Sequence, residues 1–184
     1  MKRGFKAKAE RRAVELRKRL DLAEVDPMPA RRLAHHLGYM VARPSGIGAL
    51  PDQVAEWMSC EDCGWSACLM SGDGVRLILY NPSESEGRQE SSLMHELAHV
   101  VCGHPSTAID LRGGLSLRQF VDEHEEEASW LGGCLQIPRV ALARQVGRRR
   151  TPEQAAEHFT ASLDMVWYRY RMTGLARQFN GRGW

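Results

Sequence analysis

Apolar residues recur every third or fourth position at the start of the chain: Phe5, Ala9, Ala13, Leu16 and Leu20. That period predicts an amphipathic helix over residues 5–20. Asp26-Pro27 and Pro29 interrupt it, and Ala30 to Leu37 reads as a second, short helix closed by Gly38. The pattern then changes to Tyr39-Met40-Val41-Ala42, a strand ended by Pro44, and Gly46, Gly48 and Pro51 mark a loop. Two β-compatible runs, 65–70 and 75–80, flank Ser71-Gly72-Asp73-Gly74 and predict a hairpin that stops at Asn81-Pro82.

Helical spacing returns over 88–102, where Leu93, Leu97, Val100 and Val101 form an apolar side and Gly103 offers a C-terminal cap. Gly113-Gly114 belongs to a loop, and a further helix is predicted over Asp122 to Gln136. Asp122 and Glu125 are its capping box and Pro138 its stop. Thr151-Pro152-Glu153-Gln154 carries a cap, a first-turn proline and a capping-box glutamine. From there to Gly174 the pattern predicts two helices. Residues 1–176 read as one domain, with a basic helix at 1–25 and a helix pair at 151–174, and 177–184 as a flexible tail.

Composition adds limits. At 184 residues, 43% hydrophobic and 26% charged, the chain has the make-up of a globular protein. No apolar run approaches the roughly 20 residues that span a membrane, and no apolar stretch follows the basic N-terminus as a secretory signal requires. The expectation is a cytoplasmic protein whose five cysteines stay as thiols. The net charge of +2 is uneven: residues 1–20 hold nine Lys or Arg against Glu10 and Glu15, and residues 122–127 hold five acids. A basic helix of this kind reads as a solvated face before it reads as a nucleic-acid contact.

The chemistry concentrates in His95-Glu96-Leu97-Ala98-His99. Residues i and i+4 share one face of a helix, so His95 and His99 can aim imidazole nitrogens at one metal ion, for which zinc is well suited. Glu96 sits beside that position rather than on it, where it can take a proton from the attacking water. A catalytic zinc site needs a third protein ligand and an open position. Glu123, Glu125, Glu126 and Glu127 are the candidates, and spacing alone does not choose among them. Packing gives a hint: from Glu125 one helix face continues through Ser129, Gly132 or Gly133, and Gln136, small residues that would admit a close neighbour.

Here the chain resembles the ImmA/IrrE family of metallopeptidases. The resemblance spans about residues 9–176. It is carried by Leu77-Ile78-Leu79-Tyr80-Asn81-Pro82, by Arg88-Gln89, and by Leu93-Met94 leading into the zinc motif. Glu125-Glu126-Glu127-Ala128 and Leu135-Gln136-Ile137-Pro138 complete it. It implies an α/β (α+β) zincin-like fold with a small antiparallel sheet beside the metal helix. It also implies Zn²⁺ held by His95, His99 and Glu125, with Glu127 in reserve, and Glu96 as the catalytic base. Better-known members cleave helix-turn-helix repressors, which makes such a protein the implied partner. The alternative is a non-catalytic zinc module that grips a repressor or DNA. Gly132-Gly133-Cys134 and the cysteines at 60, 63 and 68 depart from the family pattern without removing a catalytic group.

Other features carry weaker readings. Cys60, Cys63 and Cys68 could hold a second metal but supply one ligand pair, not two, so the expectation is unligated thiols. His104 is read as a cap for the last carbonyls of the 88–102 helix. Residues 151–171 echo a helix-turn-helix, a pairing that is also a common packing unit, so DNA contact is not expected there.

Overall fold

The computed structural model describes residues 1–47, 64–72, 74–105, 107–111 and 115–179. The chain begins α1 (Phe5–Arg19), α2 (Ala30–His36), β1 (Met40–Ala42), a 3-10 turn at Pro44–Gly46, β2 (Ala67–Gly72) and β3 (Val75–Tyr80). It continues α3 (Glu86–Cys102), β4 (Thr107–Leu111), β5 (Leu115–Gln119) and α4 (Asp122–Gln136). It closes with α5 (Arg139–Gly147), α6 (Pro152–Phe159), α7 (Leu163–Met172) and α8 (Leu175–Gln178). This is a small α+β fold. Among the described residues no helix is long and apolar enough to cross a membrane.

The sheet runs in the order β1-β3-β2-β5-β4. β2 and β3 form the expected hairpin, with Cys68 opposite Leu79 and Met70 opposite Leu77. The sheet is mixed rather than antiparallel, because β1 lies parallel to β3, Met40 facing Leu77. Only strands joined by a tight turn must run antiparallel. β1 reaches β3 by a long connection, so its direction is set by where α2 delivers it. The loop expected at Gly113-Gly114 lies outside the described residues; on either side of it β4 and β5 pair antiparallel, with Thr107 opposite Gln119 and Leu111 opposite Leu115.

α3 is the spine of the core. Leu93, Met94, Leu97 and Ala98 are fully buried among Leu69 and Ile78 of the sheet, Leu33 of α2 and Leu131 and Leu135 of α4. Glu90, also buried, accepts the Ala30 backbone N–H at 2.7 Å and pairs with Arg31 at 3.2 Å, fastening α2 to α3. A second cluster joins α5, α6, α7 and α8 through Leu142, Val146, Phe159, Val166, Tyr170 and Leu175. Within the helix-turn-helix echo Ala155, Phe159 and Val166 face the core, and Arg169 is fully buried. α5 was not expected. Pro138 does end α4, but it is also the N-cap of α5, a position where its missing N–H costs nothing.

The basic N-terminal helix is not solely a solvated face. Arg17 is fully buried, and its Nη2 donates to Leu135 O at 2.6 Å and to Gln136 O at 3.4 Å. From the other side Arg169 Nε donates to Ile137 O at 2.9 Å, while its Nη2 pairs with Glu10 at 2.5 Å. The last carbonyls of α4 therefore receive two guanidinium groups, one from α1 and one from α7. Cationic donors are favoured at a helix C-terminus.

Candidate metal centre

α3 begins at Ser85, whose side chain accepts the Arg88 N–H, and ends at Gly103 in the left-handed conformation. With both ends fixed and the apolar side packed in the core, a second face carries the half-buried His95 and the buried His99, with Glu96 beside them. α4 packs across this face. A Cβ on Gly132 would lie 3.1 Å from Met94 O and 3.2 Å from His95 Cα, so the two backbones touch where a side chain would hold them apart. Of the two glycines, Gly132 makes this approach; Gly133 faces Arg169 and Met165 of α7.

The close approach delivers Glu125. Its Oε2 lies 2.9 Å from His95 Nε2 and its Oε1 3.3 Å from His99 Nε2, and the two Nε2 atoms are 3.2 Å apart. The ligating atoms of the three residues all fall within 4.8 Å of one another. Four donors about 2.0–2.1 Å from a tetrahedral zinc stand roughly 3.3 Å apart, so the observed spacing and the two-imidazole, one-carboxylate set both suit that ion. The expected capping box at 122/125 does not form: α4 is capped at Val121 without a side-chain bond. Glu125 is turned to the imidazoles instead.

Behind the centre lies a second layer. His99 Nδ1 is 3.0 Å from His104 Nδ1, and His104 Nε2 is 3.3 Å from Glu127 Oε2. Phe120 stacks on His99 with centroids 3.7 Å apart, and His124 stacks on His104 at 4.5 Å. The backbone N–H of His104 does cap the helix, through His99 O at 3.2 Å. Its ring does not, which corrects the sequence reading. Glu127, the reserve acid, faces His104 and not the two motif histidines. Glu126 is exposed. Ser129 Oγ reaches His95 Nδ1 at 3.5 Å. Sequence reasoning put Ser129 on the Glu125 face without giving it this role, and missed Phe120 and the turn of His104, for which the chain carries no spacing signal.

The electrostatics divide the four central groups. Burial pulls His95 down, but its bond to Glu125 and the charges of Glu96 and Glu125 outweigh that and raise it. Burial, then the neighbouring charge of His95, pushes His99 well below the usual imidazole range. The His95 bond holds Glu125 below its ordinary value. Glu96 keeps part of its surface open but is densely surrounded. Burial pushes its carboxyl up to about 7, against the pull of His95 and with the help of Glu125. A carboxyl poised near neutrality suits proton transfer in both directions.

Cys60 and Cys63 lie outside the described residues. Cys68 is a buried free thiol pushed up to about 12 by burial and the nearby Glu96, which makes it a poor nucleophile. Tyr80 lies under Arg31, 4.8 Å from the ring centroid.

The sequence profile of the IrrE N-terminal-like domain, a peptidase family, matches residues 55–171. The chain belongs to that family. The match spans α3 and α4 and so includes all three potential metal donors together with Glu96. Membership makes the chain a metallopeptidase-type protein. No curated protein and no solved structure matches it.

Proposed function

We propose that this chain is a zinc-dependent endopeptidase, with His95, His99 and Glu125 as the metal ligands and Glu96 as the catalytic base. The observation that carries the reading is the convergence of His95 Nε2, His99 Nε2 and the Glu125 carboxylate within 4.8 Å, with the half-buried Glu96 beside them. When bound, zinc supplies Lewis-acid polarisation of carbonyl and water oxygens at neutral pH.

The rest is done by the chain's own residues. For His99 to offer Nε2 to a metal, its proton must sit on Nδ1, where it is donated to His104 Nδ1. His104 then carries its own proton on Nε2 and donates it to the Glu127 carboxylate. The pair thus fixes both the tautomer and the orientation of His99. Ser129 stands behind the Nδ1 of His95. Glu96 accepts a proton from the attacking water and returns it to the leaving amine nitrogen. Its raised carboxyl lowers the cost of holding that proton between the two events.

The proposed substrate is a helix-turn-helix repressor protein, supported by the resemblance to family members that cleave such proteins. The test takes the helix-turn-helix protein encoded nearest to this chain. It is incubated with wild type and with Glu96→Gln, with and without zinc, and fragments are read by mass spectrometry. Metal-dependent cleavage by wild type, lost in Glu96→Gln at unchanged zinc content, is the expected result. Full activity in Glu96→Gln would sink the mechanism. A stable, uncut complex with both proteins would point to a binding module instead.

A further inference from the structure

We propose that the cavity flanking His95 and Glu96 receives one bulky, uncharged side chain of the peptide substrate, adjoining the bond that is cut. The inference rests on the peptidase reading above and adds a substrate preference to it.

The cavity has a volume of about 400 Å³ and runs from His95 and Glu96 along α3 towards its N-terminus, a size suited to a large side chain. On α3 its lining residues are Arg88, Ser91, Ser92 and His95, at the spacing of one helix face. Ala67 of β2 and Gly132 of α4 form further walls, and Met165 and Tyr168 of α7 supply the bulky apolar surface. Past His95 and Glu96, a side chain entering beside the potential metal donors therefore meets Ser91 and Ser92, Ala67 and Gly132, with a thioether and a phenol ring opposite and Arg88 at the edge.

The hydroxyls around the cavity are largely committed to one another. Ser91 Oγ donates to Gly87 O at 2.9 Å and accepts the Ser162 N–H at 3.0 Å; the Ser162 hydroxyl in turn accepts the Met165 N–H at 3.1 Å. Ser66 Oγ donates to Glu84 at 2.7 Å. At the solvent edge Arg88 stands between Glu84 at 3.6 Å and Asp164 at 3.8 Å, so its charge is already matched, and the surplus carboxylate, Asp164, faces solvent. A charged side chain buried inside the cavity would be desolvated away from that solvent-facing carboxylate, which is costly. A large apolar or aromatic one would gain by burial.

The walls are also fixed in place. A Cβ on Gly87 would fall 2.4 Å from Ala161 O, and one on Gly132 3.1 Å from Met94 O. α3 thus touches the α6–α7 turn and α4 backbone to backbone, and the spacing of the elements that wall the cavity is set by these backbone contacts. Such a pocket is formed before the ligand arrives.

The test uses the zinc-loaded full chain and a panel of short peptidyl hydroxamates. Each places one variable side chain (glycine, leucine, phenylalanine, glutamate or lysine) next to the metal-binding group, and affinities are measured by calorimetry. Leucine and phenylalanine compounds should bind about tenfold to a hundredfold tighter than the glycine compound, and glutamate and lysine compounds no tighter. Ala67→Phe and Ser92→Leu, which fill the cavity from different walls, should bring the phenylalanine-to-glycine ratio towards one. Two variants guard against one that fails to fold. Equal affinity across the wild-type panel, or a ratio that survives in both filled variants, would overturn the pocket. Failure of even the glycine compound to bind would overturn the metal centre and the pocket with it. A side-chain preference in a protein that cuts nothing would sink the peptidase reading and leave the pocket standing.

Discussion

The outward nitrogen of a metal-binding imidazole decides how the ring is held. On His99 that nitrogen meets His104, itself held by Glu127. His104→Phe should weaken zinc binding by about 10- to 100-fold, read by competition with a chromophoric chelator. His104→Gln, whose amide can accept from His99 and donate to Glu127, should recover most of the loss; equal affinity in all three proteins would remove the role. His95 yields a pH prediction. The Glu125 bond and the acids around it outweigh burial and raise its pKa, so it holds its proton to higher pH than an ordinary imidazole, and a metal must displace that proton. Zinc affinity should therefore climb as the pH rises past the ordinary imidazole value of about 6.5, and a flat profile there would contradict the proton displacement. The motif spacing alone puts His95 and His99 on one helix face with Glu96 beside them. The turn of His104 was not legible, because it is set by Phe120, His124 and Glu127, which arrive from beyond the helix.

At the scale of elements, the centre depends on how closely α4 lies on α3. Gly132→Ala would set a methyl against Met94 O and the His95 backbone at 3.1–3.3 Å. Crowding of this kind costs about 1–3 kcal/mol. Because it separates Glu125 from the imidazoles, zinc affinity should fall together with the urea midpoint. Loss of stability alone would mean that Glu125 follows the imidazoles. The need for small residues here was readable from the face Glu125–Ser129–Gly132–Gln136, though not which glycine met it, since the helix rotation comes from packing. The β4–β5 hairpin was missed although Ile109, Leu111, Leu115 and Leu117 alternate with polar or small residues around Gly113-Gly114. Runs of five residues are short enough to pass for loop. α5 was missed because Pro138 was read only as a stop. The direction of β1 could not be read at all, since no local turn encodes it.

Across the whole molecule, α4 is held at both ends by distant parts of the chain. Two buried guanidinium groups meet its last carbonyls, and Glu125 in its first turn meets the histidines of α3. The donors His95 and Glu125 stand 30 residues apart in sequence, and the β4–β5 hairpin lies entirely between them. An ion gripped by both would act as a crosslink, closing a loop around that hairpin and restricting the unfolded chain much as a covalent bridge does. Stability would then be a function of free zinc, and the midpoint of thermal unfolding should rise steadily with its concentration. On chelation, amide hydrogen exchange should quicken first in β4 and β5 and only later in the β2–β3 hairpin; uniform quickening would argue against the loop. A peptidase built in this way would lose its fastening along with its chemistry when zinc is withdrawn, so the supply of one ion would govern both how much of the enzyme persists and whether it can cut.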